Sequence, residues 1–224
     1  MAQAVMKTIP DKAALAKLGT RVRARLAADP KVYTFPTDKA ELFAVGDFLT
    51  AAECDALIAK IDETARPSVA FDTDYSSGFR TSYSGDLYRT DPFIRAIERR
   101  IDDLLGIDPE WGETVQGQRY MPGQEFKPHM DYFFTGTGYW KDEKKKGGQR
   151  SWTAMVFLNE VEAGGHTDFT QLGMSMEPKP GVLLAWNNAD RNGKPNPMTI
   201  HAGCPVESGV KYIITKWYRT RNWG

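Results

Sequence analysis

Apolar residues recur along this chain in two registers, one helical and one extended, and the change between them falls near Val115. After Pro10, the residues Leu15, Leu18, Val22 and Leu26 return every three or four positions. They mark one face of a helix running to about Ala28, where Asp29-Pro30 ends it. The stretch "TAAECDALIAKID" opens on Thr50 with Glu53 three positions later, the reciprocal cap of a helix start, and Leu57, Ile58 and Ile61 form its apolar stripe. A third helix is written in "DPFIRAIERRIDDLLG". Asp91 caps it, Pro92 suits a first turn whose N–H would go unbonded, and Gly106 allows the left-handed stop. The polar, turn-rich stretch "FRTSYSGDLY" lies between the second and third helices. Beyond Val115, "WTAMVFL" (152–158) and "VLLAW" (182–186) are short, wholly apolar runs, and "VKYIITKWYR" (210–219) is rich in β-branched and aromatic residues. Many short strands joined by Gly and Pro turns predict a mainly β domain of α+β type, a sandwich or barrel with the preceding helices packed on one sheet.

Composition narrows the partners. Across 224 residues, 29 basic side chains balance 29 acidic ones, so no global field draws nucleic acid or an anionic membrane. The start, "MAQAVMKTIPDKAALAK", lacks the apolar core of a secretion signal, and no apolar run approaches the length of a membrane span. Cys54 and Cys204 show neither disulfide-framework nor zinc-knuckle spacing and read as reduced thiols, with a single buried pair as the alternative. These features predict a cytoplasmic protein. The charge run "KDEKKKGGQR" (141–150) reads as a solvated hairpin loop.

Candidate chemistry is concentrated in three histidines. "PHMDYF" and "GGHTDF" each contain His-x-Asp, and side chains two apart on an extended strand point to one side, so His129 with Asp131, or His166 with Asp168, can converge on one ion. Two histidines and one carboxylate on one face of an octahedron form the triad of non-haem Fe(II) oxygenases. His201 in "TIHAG" is the remaining histidine and the candidate third ligand for either pair. The same ligand set suits a zinc hydrolase, and a non-catalytic β-barrel binding module is a further reading. Lys211 adds an independent signal. On an extended strand it shares one face with Ile213, Thr215 and Trp217, while Val210, Tyr212 and Ile214 take the other. Both faces are largely apolar, and an ammonium buried on one of them needs an anion. A metal triad beside a lysine-bound dicarboxylate fits 2-oxoglutarate as cosubstrate.

Taken in order, "RYMPGQEFKPHMDYF", "GGQRSWTAMVFLNEVEAGGHTDF" and "IHAGCPVESGVKYIITKW" resemble the catalytic domain of the prolyl 4-hydroxylases within the 2-oxoglutarate/Fe(II) oxygenases, and "FRTSYSG" resembles that family's substrate-loop stretch. The resemblance spans roughly Phe43 to Trp217. It implies a double-stranded β-helix (jelly roll) in a domain of residues 37–224, preceded by a helical extension at 1–36. It implies iron on His129, Asp131 and His201, and 2-oxoglutarate held by Lys211, Tyr120 and Thr167. It further implies a substrate side lined by Arg150, Trp217, Arg80 and Ser82. Implied too are O2 as cosubstrate, ascorbate as rescuer of oxidised iron, and a proline-containing peptide or protein as substrate. Related halogenases carry a small residue in place of the carboxylate, so Asp131 points to hydroxylation. His166 replaces the glutamate of the family's "GGET" segment, which marks "GGHTDF" as a departure rather than the metal strand. The long "TGTGYWKDEKKKGG" connection is a second departure, at the rim of the substrate groove. Oxygenation of a free amino acid, small metabolite or non-prolyl peptide is the alternative within this chemistry.

Overall fold

Helix boundaries fall where caps and spacing place them. The computed structural model describes residues 9–68 and 78–223. Helix α1 (Lys12–Ala28) buries Leu15, Leu18, Val22 and Leu26; α2 (Ala51–Thr64) buries Cys54, Leu57 and Ile61; α3 (Pro92–Leu105) buries Ile94, Ile97, Ile101 and Leu105. In α2 the Thr50 hydroxyl accepts from the Glu53 N–H at 3.2 Å and the Glu53 carboxylate accepts from the Thr50 N–H at 2.8 Å, so two end donors are satisfied at once. Gly106 closes α3 at φ 64°, where a side chain would strain.

The strands build two facing sheets. The larger contains β1 (Val32–Thr34), β2 (Leu42–Val45), β3 (Arg66–Pro67), β4 (Tyr83–Asp86), β5 (Gln116–Tyr120), β7 (Arg150–Phe157), β11 (Leu183–Asn187) and β14 (Lys211–Arg219), in the order β1-β2-β11-β7-β14-β5-β4-β3. The smaller contains β6 (Phe126–His129), β9 (Thr167–Phe169), β10 (Met174–Met176) and β12 (His201–Gly203), in the order β10-β9-β12-β6. A short pair, β8 (Ala163–Gly164) and β13 (Val206–Ser208), lies beside them. All recorded strand pairs are antiparallel. The order jumps between distant strands, as expected of the jelly roll implied by the sequence.

Alternation along the central strands divides the interior. Trp152, Ala154 and Val156 of β7 and Ile214 and Tyr218 of β14 face the three helices. Met155 and Phe157 of β7 and Ile213 of β14 pack towards the smaller sheet with Phe169 and Trp186. The lysine face is as the alternation predicts: Lys211, Ile213, Thr215 and Trp217 share one cavity. Leu18, Val22 and Leu26 of α1 belong to the same apolar cluster as α2 and α3, so the N-terminal helix covers the large sheet.

Two expectations need correction. The first half is not simply helical, because β2 and β4 insert into the large sheet, the latter from within "FRTSYSGDLY". Four-residue strands carry too few residues for a period to emerge. The charge run at 141–150 is not a plain solvated hairpin either. A single helical turn, α4 (Trp140–Glu143), begins it, and Glu143 is buried against Arg219. Cys54 and Cys204 are separate free thiols. Among the described residues no helix is long and apolar enough to cross a membrane.

Helix α2 lies on the sheet at backbone distance. A Cβ built on Gly85 of β4 meets the Ile61 Cα and carbonyl oxygen at 2.8 Å each. Gly85→Ala is therefore expected to push α2 outward and cost about 1–3 kcal/mol. Urea unfolding checks this: the midpoint falls with an unchanged slope, whereas Gly46→Ala, with no atom within 4 Å of its Cβ, leaves the midpoint in place.

Candidate active site

Antiparallel pairing of β12 with β6 sets His201 opposite His129, and their ring centroids lie 4.3 Å apart. Asp131 follows just beyond the end of β6. One ligand atom from each of His129, Asp131 and His201 can be chosen so that all lie within 4.8 Å of one another. Both rings are oriented by backbone. His129 Nδ1 is 2.8 Å from the Lys127 carbonyl and His201 Nδ1 is 3.0 Å from the Thr199 carbonyl. A carbonyl only accepts, so each Nδ1 carries a proton, which in the neutral ring leaves the lone pair on Nε2. That tautomer is the one in which imidazole binds a metal, with the carbonyl as its outer partner.

Asp131 Oδ2 accepts from the Thr153 hydroxyl at 2.7 Å, and Thr153 Oγ1 in turn accepts from Asn188 Nδ2 at 2.9 Å. The same Oδ2 lies 3.9 Å from His201 Nε2. Two electron-pair donors thus face each other across a buried gap, an arrangement that suits a cation between them. Burial pushes the His129 imidazole down to about 3, and the neighbouring His201 adds to the effect. Burial alone would raise the Asp131 carboxyl, yet His201, His129, Arg150 and the Thr153 hydrogen bond hold it below the usual carboxylate range. A neutral imidazole and an ionised carboxylate are the forms a metal requires. The residues present therefore fit a divalent metal of the facial-triad type.

The triad opens into a cavity lined also by Tyr120, Phe126, Met155, Thr167, Trp186, Lys211, Ile213, Thr215 and Trp217. Across it stands Lys211, 1% exposed. Its ammonium donates to Thr167 Oγ1 at 3.1 Å and to the His166 carbonyl at 3.3 Å, and sits 5.5 Å above the Tyr120 ring centroid. Among the described residues no carboxylate comes within ion-pair distance of it. Burial lowers its pKa to about 7. A buried cation with no ion-pair partner among the described residues, at the wall of a metal-type cavity, fits an anionic ligand.

The other expected residues divide. His166 and Asp168 point away from the cavity, because alternation on β9 turns Thr167 and Phe169 inward. Both outer side chains meet Ser175 instead. Trp217 lines the cavity, and Tyr120 lines it while donating its hydroxyl to Gln118 Oε1 at 2.8 Å. Arg80, Ser82 and Arg150 are not among the lining residues. Arg80 and Ser82 are buried, with Arg80 Nε donating to the Ser82 hydroxyl at 3.1 Å and the guanidinium over Phe126. Arg150 grips Glu113 with two donors at 2.6 and 2.8 Å and stacks on Trp217 at 4.1 Å. Thr153, Asn188 and Glu113 are not among the residues expected from the sequence. A threonine within the apolar run 152–158 and paired asparagines closing "AWNN" are the signals that point to the first two.

Residues 115–219 match the family model described as the 2OG-Fe(II) oxygenase superfamily. The chain is 32% identical over 205 residues to probable prolyl 4-hydroxylase 8 of Arabidopsis thaliana, covering 81% of this chain and 69% of that protein. It is 31% identical over 176 residues to prolyl 4-hydroxylase subunit alpha-2 of Gallus gallus, covering 75% of this chain and 32% of that one. Among solved structures, a viral collagen prolyl hydroxylase from Paramecium Bursaria Chlorella virus-1, in its 2OG complex, superposes with a TM-score of 0.62 at 30% identity over 80% of this chain and 95% of that chain. A prolyl-4-hydroxylase of Pseudomonas putida shares the fold, with a TM-score of 0.54 at 20% identity over 92% of this chain and 99% of that one. With this relationship added to the triad and the buried lysine, the chain belongs to the prolyl 4-hydroxylase family of 2-oxoglutarate- and Fe(II)-dependent dioxygenases.

Proposed function

We propose that this dioxygenase hydroxylates prolyl residues of a peptide or protein to 4-hydroxyproline. The observation that carries the reading is one cavity lined both by a His-Asp-His set and by a buried ammonium that, among the described residues, makes no ion pair. The match to 2OG-Fe(II) oxygenases favours this reading over a zinc hydrolase. The prolyl 4-hydroxylase relatives support the choice of substrate.

In this reading His129, Asp131 and His201 hold iron, which when bound supplies the redox chemistry that turns 2-oxoglutarate and O2 into succinate and CO2 and places the second oxygen atom on the substrate carbon. Lys211 and Thr167 bind the far carboxylate of 2-oxoglutarate, and Tyr120 packs beside it. The carbonyls of Lys127 and Thr199 hold the imidazoles in the binding tautomer. Thr153, itself fixed by Asn188, aims the Asp131 carboxylate. Phe126, Met155, Ile213 and Trp217 give the cavity apolar walls that exclude water and suit a proline ring. Glu113 holds Arg150 flat on Trp217, so the substrate-side wall is pre-set rather than assembled on binding. Ascorbate serves, in this reading, to return iron to the ferrous state after uncoupled turnover.

Incubation with Fe(II), 2-oxoglutarate and a proline-containing peptide library is expected to give a mass gain of one oxygen atom at proline, with stoichiometric succinate. Succinate release on another substrate, with no prolyl peptide modified, overturns the prolyl assignment. Lys211→Ala is expected to weaken 2-oxoglutarate affinity about 10- to 100-fold, the loss of a charge-assisted contact. Titration of the anaerobic Fe(II)/2-oxoglutarate absorption band measures it, and His129→Ala abolishes the band. The ammonium is the binding form of Lys211 and titrates at about 7 without ligand. Affinity is therefore full below that pH and weakens as pH rises through it, by up to about tenfold per pH unit. Lys211→Arg, which stays charged, is expected to flatten the dependence.

A further inference from the structure

The excursion between β6 and β7 starts and ends next to cavity-lining residues. It leaves two residues beyond Asp131, at Phe133, and returns at Arg150, which stacks on the cavity residue Trp217. Its base is closed by one buried amide: Gln149 accepts from the Phe133 N–H at 2.6 Å and donates to the Phe133 carbonyl at 2.9 Å. Phe133 packs against two guanidinium groups, Arg150 at 4.8 Å and Arg219 at 4.6 Å from its ring centroid. Higher up, the buried Arg219 binds the Glu143 carboxylate and donates to the Gly148 carbonyl at 2.8 Å. Asp11 ties the same turn to the start of α1, accepting from the Gln149 N–H at 3.1 Å and from the Thr220 hydroxyl at 3.0 Å.

This anchoring sorts the charges. Glu143 is turned inward and neutralised by Arg219, while Lys141, Lys144, Lys145 and Lys146 are exposed. Asp142 is the one exposed carboxylate between them. On a chain whose charges balance overall, a turn fixed beside the cavity thus presents a local excess of positive charge. Phe134, 40% exposed, stands at its foot.

We propose that this lysine-bearing turn is a substrate-docking rim that selects peptides with acidic residues flanking the residue to be hydroxylated. The inference rests on the proposed function for the identity of the hydroxylated residue, not for the charge preference. Lysines held on a rigid turn draw an oppositely charged segment towards the cavity before side-chain contact, and they disfavour a basic one. The turn is a compact patch rather than a long groove, and its Phe133, Tyr139 and Trp140 rings pack on one another, which favours an acidic peptide over a stacked nucleic-acid strand.

The test uses three fluorescein-labelled peptides that share one central proline and carry glutamate, glutamine or lysine on both sides. Fluorescence anisotropy with the full chain is expected to show the glutamate peptide binding about five- to tenfold more tightly than the glutamine one, with the lysine peptide weakest. The gap is expected to close in about 0.5 M salt, where the screening length is only a few ångströms. It is also expected to vanish in Lys144→Glu/Lys145→Glu/Lys146→Glu and to shrink in the milder triple glutamine variant. Equal affinity for all three peptides overturns the inference, as does an acidic preference that survives both triple variants, or tighter binding of a single-stranded oligonucleotide. Mass spectrometry of the same peptides separates the two readings. Hydroxylated proline without charge preference removes the rim and leaves the prolyl assignment; charge-selective binding with no prolyl product does the reverse.

Discussion

A buried ammonium that, among the described residues, makes no ion pair with a carboxylate is the constraint on which the site depends. Lys211 stands at the first residue of the longest strand, in the sheet that carries the helices, and its side chain points towards the second sheet. Thr167 and the His166 carbonyl give it dipoles but no negative charge. Desolvation on this scale is retained in a folded protein only where something offsets it; these dipoles and the Tyr120 and Phe157 rings do so in part, and an anionic ligand would complete the offset. The rest of the fold keeps that arrangement dry. Helices cover the outer face of the large sheet, the small sheet covers the inner face, and the cavity is what remains between them.

The metal-type wall is built on a different device. Strand pairing, not loop packing, brings His129 opposite His201, so the spacing of the two rings is set by backbone hydrogen bonds in the β6–β12 ladder. Asp131 lies outside that ladder, and its aim comes from Thr153 on the large sheet and Asn188 just beyond β11 of that sheet. The two sheets therefore share the triad: one supplies both imidazoles, while the other holds the carboxylate in place. Changes in how the sheets pack would move the carboxylate relative to the rings, which ties catalytic geometry to core packing.

Much of this was legible in the residues. Caps and helical spacing located α1, α2 and α3, because each end carries its own chemistry within four residues. Alternation placed Lys211 with Ile213, Thr215 and Trp217, since a period of two needs only one strand to be visible. What escaped was whatever depends on partners distant in sequence. β2 and β4 are strands because β11 and β5 pair with them, not because four residues announce an extended run. Thr153 and Asn188 are polar residues whose task appears only when Asp131 lies beside them. Glu113 likewise becomes meaningful once Arg150 and Arg219 both reach it. The choice of "PHMDYF" over "GGHTDF" came from the family resemblance, since the two patterns are equivalent locally; the structure adds the reason, the alternation of β9 that turns the second pair outward.

The charge run between β6 and β7 shows how a local reading can be right in sign and wrong in structure. Its lysines are solvated, as an isolated stretch of like charge should be. Yet the turn beneath them is pinned by Glu143, Gln149 and Gly148, each bonded to groups in Arg219 or Phe133. Arg219 and Arg150 both lie against Phe133, and Glu113 binds both of them. The group that holds the cavity wall against Trp217 is thus in the same network as the group that holds the turn. Surface charge on a mobile loop averages towards nothing, but charge on a turn rooted in the cavity wall keeps a constant position relative to the site. That shared network makes the turn part of the cavity's architecture and lets its charge act on whatever enters.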